Sequence, residues 1–61
     1  MTPRERENLQ QALSNLGFSH KTHLTRQEID KLVQELSLSR EYQLADKIQA
    51  MDPAAIAGLL R

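Results

Sequence analysis

The stretch LTRQEIDKLVQEL, residues 24–36, indicates the fold of this 61-residue chain. Thr25 and Glu28 have the spacing of a capping box, in which each side chain accepts a hydrogen bond from the backbone N–H of the other residue. Four apolar residues then recur with helical spacing: Ile29, Leu32, Val33 and Leu36. The stretch therefore predicts an amphipathic helix over 26–36 whose apolar side faces a core.

The first sixteen residues carry helix signals of the same kind. Thr2, Pro3 and Glu5 form a second capping box, with proline at its favoured first helical position. An apolar stripe follows at Leu9, Ala12, Leu13 and Leu16. Gly17 then supplies the left-handed residue that commonly follows a helix. These signals predict a helix over 3–16.

The second half of the chain predicts two more helices. Ser39 is the expected N-cap of a third helix over 40–51, with Glu41 in the first turn, where the helix dipole favours negative charge. Asp52, followed by a proline, is the expected N-cap of a fourth helix over 53–60. No stretch alternates apolar and polar residues in the way a half-buried strand does.

The expected fold is therefore all-α, a small bundle of four short helices in a single helical domain, 1–61. Such a chain lies near the lower size limit for folding on a hydrophobic core alone. It has no cysteine for disulfides or thiolate metal sites. There is no signal-peptide pattern, and no apolar run approaches the ~20 residues that span a bilayer. We therefore expect a cytoplasmic protein that does not enter a membrane.

The sequence carries no pattern of a catalytic, cofactor or metal site. Its acidic residues are spread evenly, whereas carboxylates in acid–base catalysis need environments that shift their pKa values. Its two glycines cannot form a glycine-rich phosphate loop. His20 and His23 are two potential metal ligands where a site needs three or four. We therefore expect no enzyme, no cofactor, no metal and no small-molecule substrate.

The last predicted helix is apolar on nearly every side, which is typical of a helix covered by other protein. It either closes the core as a lid or leaves an exposed apolar patch for a partner. We therefore expect a non-enzymatic protein–protein interaction module, a small adaptor, docking domain or regulatory subunit. It would act through helix–helix contacts with another protein or with itself as a homodimer. The candidate partner-binding residues are Tyr42, Met51, Ile56, Leu59 and Leu60.

The alternative is a small helix-turn-helix DNA-binding regulator, because a short turn joins the second and third predicted helices. Residues 40–51 would be the recognition helix. The candidate DNA-binding residues are Ser39, Arg40, Gln43 and Lys47. The charge balance makes this function the less favoured one, since eight basic and eight acidic residues cancel, with four of each sign in residues 1–30 and four of each in residues 31–61. Nucleic-acid binders usually concentrate lysine and arginine on one face.

Two short stretches resemble known families. TPRERENL, residues 2–9, resembles the start of LuxR-type DNA-binding domains, but the residues after it do not keep the spacing of that family. LADKIQAMDPAAIAGLLR, residues 44–61, is similar to helical units of the flagellar switch protein FliG and of magnesium-transporter N-domains. In those units an Asp–Pro pair begins a helix that ends in paired leucines, which implies a helical unit here. Neither stretch assigns the chain to a family.

Overall fold

The fold is built from helices alone over residues 1–60, which a computed structural model of the chain describes; Arg61 lies outside the described part. The four helices are α1 (Pro3–Asn15), α2 (Arg26–Leu38), α3 (Tyr42–Ala50) and α4 (Pro53–Leu59). They fold into a globule with principal extents of 24 × 22 × 22 Å. The all-α expectation is confirmed.

Capping boxes begin α1 and α2, as the sequence predicts. Thr2 Oγ1 accepts a hydrogen bond from the Glu5 N–H, and Glu5 Oε1 accepts one from the Thr2 N–H, both at 3.2 Å. At α2, the Glu28 N–H donates to Thr25 Oγ1 at 3.2 Å, and the Thr25 N–H donates to Glu28 Oε1 at 2.9 Å. These bonds satisfy N–H groups that have no partner within the helix.

The ends of α1 and the start of α4 also follow local sequence signals. Gly17 has a φ of 76°, and the Phe18 N–H donates to the Leu13 carbonyl at 2.8 Å, which is the Schellman ending expected there. Asp52 caps α4 by accepting a hydrogen bond from the Ala55 N–H at 2.8 Å. The predicted starts of α1, α2 and α4 are therefore confirmed, and the ends of α1 and α4 differ by one residue.

The turn between α2 and α3 corrects one prediction. α2 continues to Leu38 and does not stop at Leu36, so Ser39 is the C-cap of α2 and not the N-cap of α3. Serine in the last turn of a helix is tolerated when packing holds the helix. The prediction of a helix over 26–36 was therefore two residues too short, since residues 37 and 38 belong to α2.

Arg40 completes this turn in the left-handed conformation, with a φ of 62°. The Glu41 N–H donates to the Leu36 carbonyl at 2.8 Å, which is again a Schellman-type ending. An L-residue in this conformation costs roughly 1–2 kcal/mol, so glycine is usual there and arginine gives no sequence signal. α3 therefore begins at Tyr42, two residues after its predicted start, and its N-cap Glu41 makes no side-chain capping bond.

The core lies around α2, which packs against both α1 and α3. Ile29 and Leu32 of α2, Ile48 of α3 and Ile56 of α4 are each 0% exposed. Each such side chain contributes roughly 1.5–3 kcal/mol by leaving water. The other buried apolar residues are Leu9, Ala12, Leu13, Leu24, Leu36, Leu44 and Ala45. The predicted core stripe of α2 is thus confirmed, with Val33 at its half-buried edge.

Candidate interaction surfaces

The first candidate surface is the turn between α2 and α3. Leu38, the last residue of α2, is 75% exposed, and Tyr42, the first residue of α3, is 61% exposed. Arg40, also exposed, lies between them in the turn. We call Leu38, Arg40 and Tyr42 the turn surface. It places an aliphatic, a cationic and an aromatic side chain within five consecutive residues.

Leu38 was missed as a candidate because its stretch was interpreted as a loop. A helical interpretation would have found it. It lies two residues after Leu36, which is about 200° around a helix and therefore on the side opposite the buried stripe. A single exposed leucine is common on protein surfaces, so Leu38 becomes a candidate only together with the exposed Tyr42 four residues later.

The second candidate surface surrounds the end of α4. It consists of two adjoining depressions that share Leu59. One depression lies against α1 and includes Leu9, Leu13 and Leu60. The other is bordered by the apolar residues Met1, Ala50 and Met51. We call the two together the α4 groove.

The predicted partner-binding residues divide between these surfaces and the core. Ile56 is fully buried, so it is a core residue and is removed from the surface candidates. Met51, Leu59 and Leu60 are half-buried and line the α4 groove. Tyr42 lies apart, because it is the first residue of α3 and lines neither depression of the α4 groove. The residues therefore do not form one continuous patch.

The predicted DNA-binding residues are also divided. Ser39 and Arg40 lie in the turn and not in a helix over 40–51, because α3 begins only at Tyr42. Gln43 and Lys47 are exposed one helical turn apart on α3. Lys47 is engaged by α1, since its Nζ lies 2.8 Å and 3.0 Å from the two carboxylate oxygens of Glu5. Its charge is therefore partly neutralised on the face that would meet a duplex.

The electrostatics centre on the two capping glutamates. Lys21 Nζ lies 2.8 Å from Glu28 Oε2, and this ammonium group, together with the backbone N–H of Thr25, lowers the pKa of Glu28 to about 2. Lys47, with the backbone N–H of Thr2, likewise lowers the pKa of Glu5 from its ordinary value. Glu5 thus links the start of α1 to Lys47 of α3, and Glu28 links the start of α2 to Lys21 in the loop before it. Both pairs lie beside the α4 groove, because Lys21 and Lys47 line it.

A prediction follows for acid stability. The pKa of Glu28 falls from 4.5 in an unperturbed side chain to about 2 in the fold. Its contribution is therefore present above about pH 4.5 and is lost as the pH falls towards 2. We expect the Tm to fall across this range, and to fall less in Glu28→Gln, since glutamine keeps the capping box but does not titrate. Circular dichroism melts at stepped pH measure both slopes.

The matched control for that experiment is Glu7→Gln, which removes an exposed carboxylate of α1 outside both capping boxes. It should retain the acid dependence of the unmodified chain. If Glu7→Gln and Glu28→Gln flatten the profile equally, general charge repulsion and not the Lys21–Glu28 pair controls acid unfolding.

The described residues also bear on metal and membrane binding. Over 1–60, no group of three or more His, Cys, Asp or Glu side chains is arranged to hold a metal ion. His20 and His23 are both exposed in the loop before α2. None of the helices in that range is long and apolar enough to cross a membrane.

Comparison with protein-family models, with curated proteins and with solved structures finds no match to this chain. The fold defines the class, a small all-helical domain, and its function has to be inferred from the two surfaces.

Proposed function

We propose that this chain is a non-enzymatic protein–protein interaction module of the cytoplasm, a small adaptor, docking domain or regulatory subunit. It binds another protein or a second copy of itself through helix surfaces. The observation that carries the proposal is the exposure of Leu38 and Tyr42 on the two sides of one turn.

Physical chemistry supports a contact role for this turn. Large apolar side chains gain roughly 1.5–3 kcal/mol each when a surface covers them, and here the core is already complete without them. Tyrosine and arginine are the residue types enriched at interface hot spots, and leucine supplies apolar area beside them. Arg40 can form ion pairs with a partner carboxylate while Tyr42 is buried by the same partner. The turn surface therefore has the chemistry of a compact anchor.

The first experiment is sedimentation velocity of the full chain from micromolar to near-millimolar concentration. A concentration-dependent dimer would identify a second copy as the partner. A monomer at all concentrations would direct the search to a different protein.

Photo-cross-linking then locates the contact. A photoreactive phenylalanine analogue at Tyr42 should give one adduct of defined mass in the cell. The same analogue at Gln27, exposed at the start of α2, should give none. Absence of an adduct from Tyr42, or identical adducts from both positions, would contradict the proposal.

A second candidate function is DNA binding, which is favoured by one observation. α2 and α3 are joined by only three residues, and Arg40 and Gln43 are exposed at that junction. Helix-turn-helix domains place the second helix of such a pair in the major groove. We rank this function second because Glu5 engages Lys47 and because the exposed Asp46 lies beside Lys47 on α3.

The DNA-binding alternative makes its own prediction. Arg40→Ala and Lys47→Ala should each weaken binding to a mixed-sequence duplex and reduce the salt slope of log K by about one. Fluorescence anisotropy at several salt concentrations measures both quantities. The absence of binding by the unmodified chain at low ionic strength would exclude this function.

A further inference from the structure

We propose that the turn surface binds a second copy of this chain across a two-fold axis near Tyr42, with Arg40 of each copy paired to Asp46 of the other. The inference rests on the proposed function as a protein-binding module and commits it to one partner. It can fail while that function stands, because a different protein can also bind the turn surface.

Two opposite charges flank the exposed tyrosine. Arg40 lies two residues before Tyr42, in the turn, and Asp46 lies four residues after it on α3. Residues four apart lie on the same side of a helix and about 6 Å apart along it, so the exposed Asp46 shares a side of α3 with Tyr42. A rotation of 180° about an axis through Tyr42 therefore brings each charge towards the position of the other. A surface with this property is self-complementary, as a two-fold dimer requires.

Both charges are available to a partner. The side chains of Arg40 and Asp46 make no hydrogen bond or ion pair with the described part of the chain. Lys47, which follows Asp46 on α3, is bound by Glu5 of α1. Glu41, which follows Arg40, is half-buried. The unpaired exposed charges beside the tyrosine are therefore one cation and one anion, which suits a second copy of the same surface better than a polyanion.

The backbone of Arg40 supports a role for its side chain outside its own chain. The Arg40 N–H donates to the Ser37 carbonyl at 3.0 Å, as the Gly17 N–H donates to the Ser14 carbonyl at 3.0 Å in the turn after α1. Both residues are left-handed, with φ values of 62° and 76°. Glycine adopts this conformation without the cost that a side chain adds, so glycine would be sufficient in either turn. An arginine held there without a polar partner in its own chain is explained by contact with another molecule.

The dimer is expected to be weak because the contact is small. Its apolar part consists of Leu38 and Tyr42 from each copy, and the two tyrosines lie near the axis, where aromatic rings can pack on each other. Interfaces below about 1,200 Å² are typical of transient complexes. We therefore expect a Kd on the order of 100 µM.

The test uses two single variants with opposite charge changes. Arg40→Asp has an aspartate on both sides of Tyr42, and Asp46→Arg has an arginine on both sides. Each variant alone should dimerise about tenfold or more weakly than the unmodified chain, because like charges then meet across the axis. An equimolar mixture of the two should recover a Kd within about threefold of the unmodified value, since every contact again joins opposite charges. Sedimentation velocity from micromolar to near-millimolar concentration measures each Kd.

The matched control is the pair of variants Arg4→Asp and Glu7→Arg, which makes the same charge changes at exposed positions of α1. Each control variant should dimerise as the unmodified chain does. If the mixture of the two control variants associates as the mixture of the test variants does, the net charge of the chains is responsible and the inference is wrong. Circular dichroism confirms that all four variants fold.

Arg40→Gly separates association from stability. In the dilute, monomeric chain it should raise the Tm by about 2–5 °C, because the cost of the left-handed side chain exceeds the extra backbone freedom of glycine in the unfolded chain. It should weaken the dimer about fivefold, because two ion pairs are lost. A Tm that does not rise would show that Arg40 stabilises its own chain, and the inference would be overturned.

Three further results would overturn the inference. They are a monomer at all concentrations, dimerisation that Arg40→Asp leaves unchanged, and a mixture that associates no better than its two components. None of them would overturn the proposed function, because cross-linking through Tyr42 also detects a different partner protein. The absence of any adduct from Tyr42 would contradict the proposed function as well.

Discussion

Ile56→Ala is expected to lower the free energy of unfolding by about 2–5 kcal/mol. Ile56 is the only fully buried residue of α4 over the described range, and the rest of that helix consists mainly of small or half-buried residues. Its truncation removes apolar contacts and leaves a cavity that the surrounding side chains fill only in part. In a domain of this size, each kcal/mol shifts the Tm by roughly 4–8 °C, so the Tm should fall by about 10 °C or more.

Urea denaturation followed by circular dichroism measures the effect. The control is Leu38→Ala, which truncates an apolar side chain that is 75% exposed and should cost less than about 0.5 kcal/mol. Similar costs for the two variants would show that α4 is not packed on the core in solution. The α4 groove would then not exist as described.

Leu38→Lys combined with Tyr42→Asp is expected to weaken partner binding by about 30-fold or more while leaving stability nearly unchanged. The loss of the two apolar anchors of the turn surface removes contact area of the kind that costs 2 kcal/mol or more at a hot spot. Both side chains are mostly exposed, so the core does not change. Lysine in the last turn of α2 and aspartate in the first turn of α3 also suit the helix dipoles.

The matched control is Gln11→Lys combined with Gln27→Asp, which makes the same charge changes at exposed positions of α1 and α2. Binding is measured as the dissociation constant of self-association, or as the yield of the adduct formed through a photoreactive residue at Gln43. An equal loss in both double variants would mean that charge alone is responsible. An unchanged dissociation constant or yield in the first variant would show that the turn surface makes no contact.

Local sequence signals account for most of the secondary structure. The capping pairs Thr2–Glu5 and Thr25–Glu28 act between residues three apart, so they are visible without any tertiary information. The same is true of the glycine after α1 and of the apolar stripe of α2. The helix starts at residues 3, 26 and 53 were predictable for this reason.

The start of α3 was not predictable in the same way. Arg40 adopts a left-handed conformation that its side chain disfavours, and arginine is not a residue type that predicts this conformation. The hydrogen bond from Glu41 to Leu36 and the packing of α2 on α3 hold the turn there. The exposure of Leu38 follows from the same two residues of additional helix.

For the candidate surfaces, too, the sequence determined some features and the tertiary structure determined others. The sequence established that Tyr42, Met51, Leu59 and Leu60 are apolar residues near helix ends, because residue type and helical period are local properties. Which of them share a surface depends on how the helices pack, and packing is a property of the whole chain. The packing of the helices buries Ile56 and separates Tyr42 from the other candidates. It also brings Lys21, in the loop before α2, and Lys47, on α3, to one groove although they are 26 residues apart in sequence.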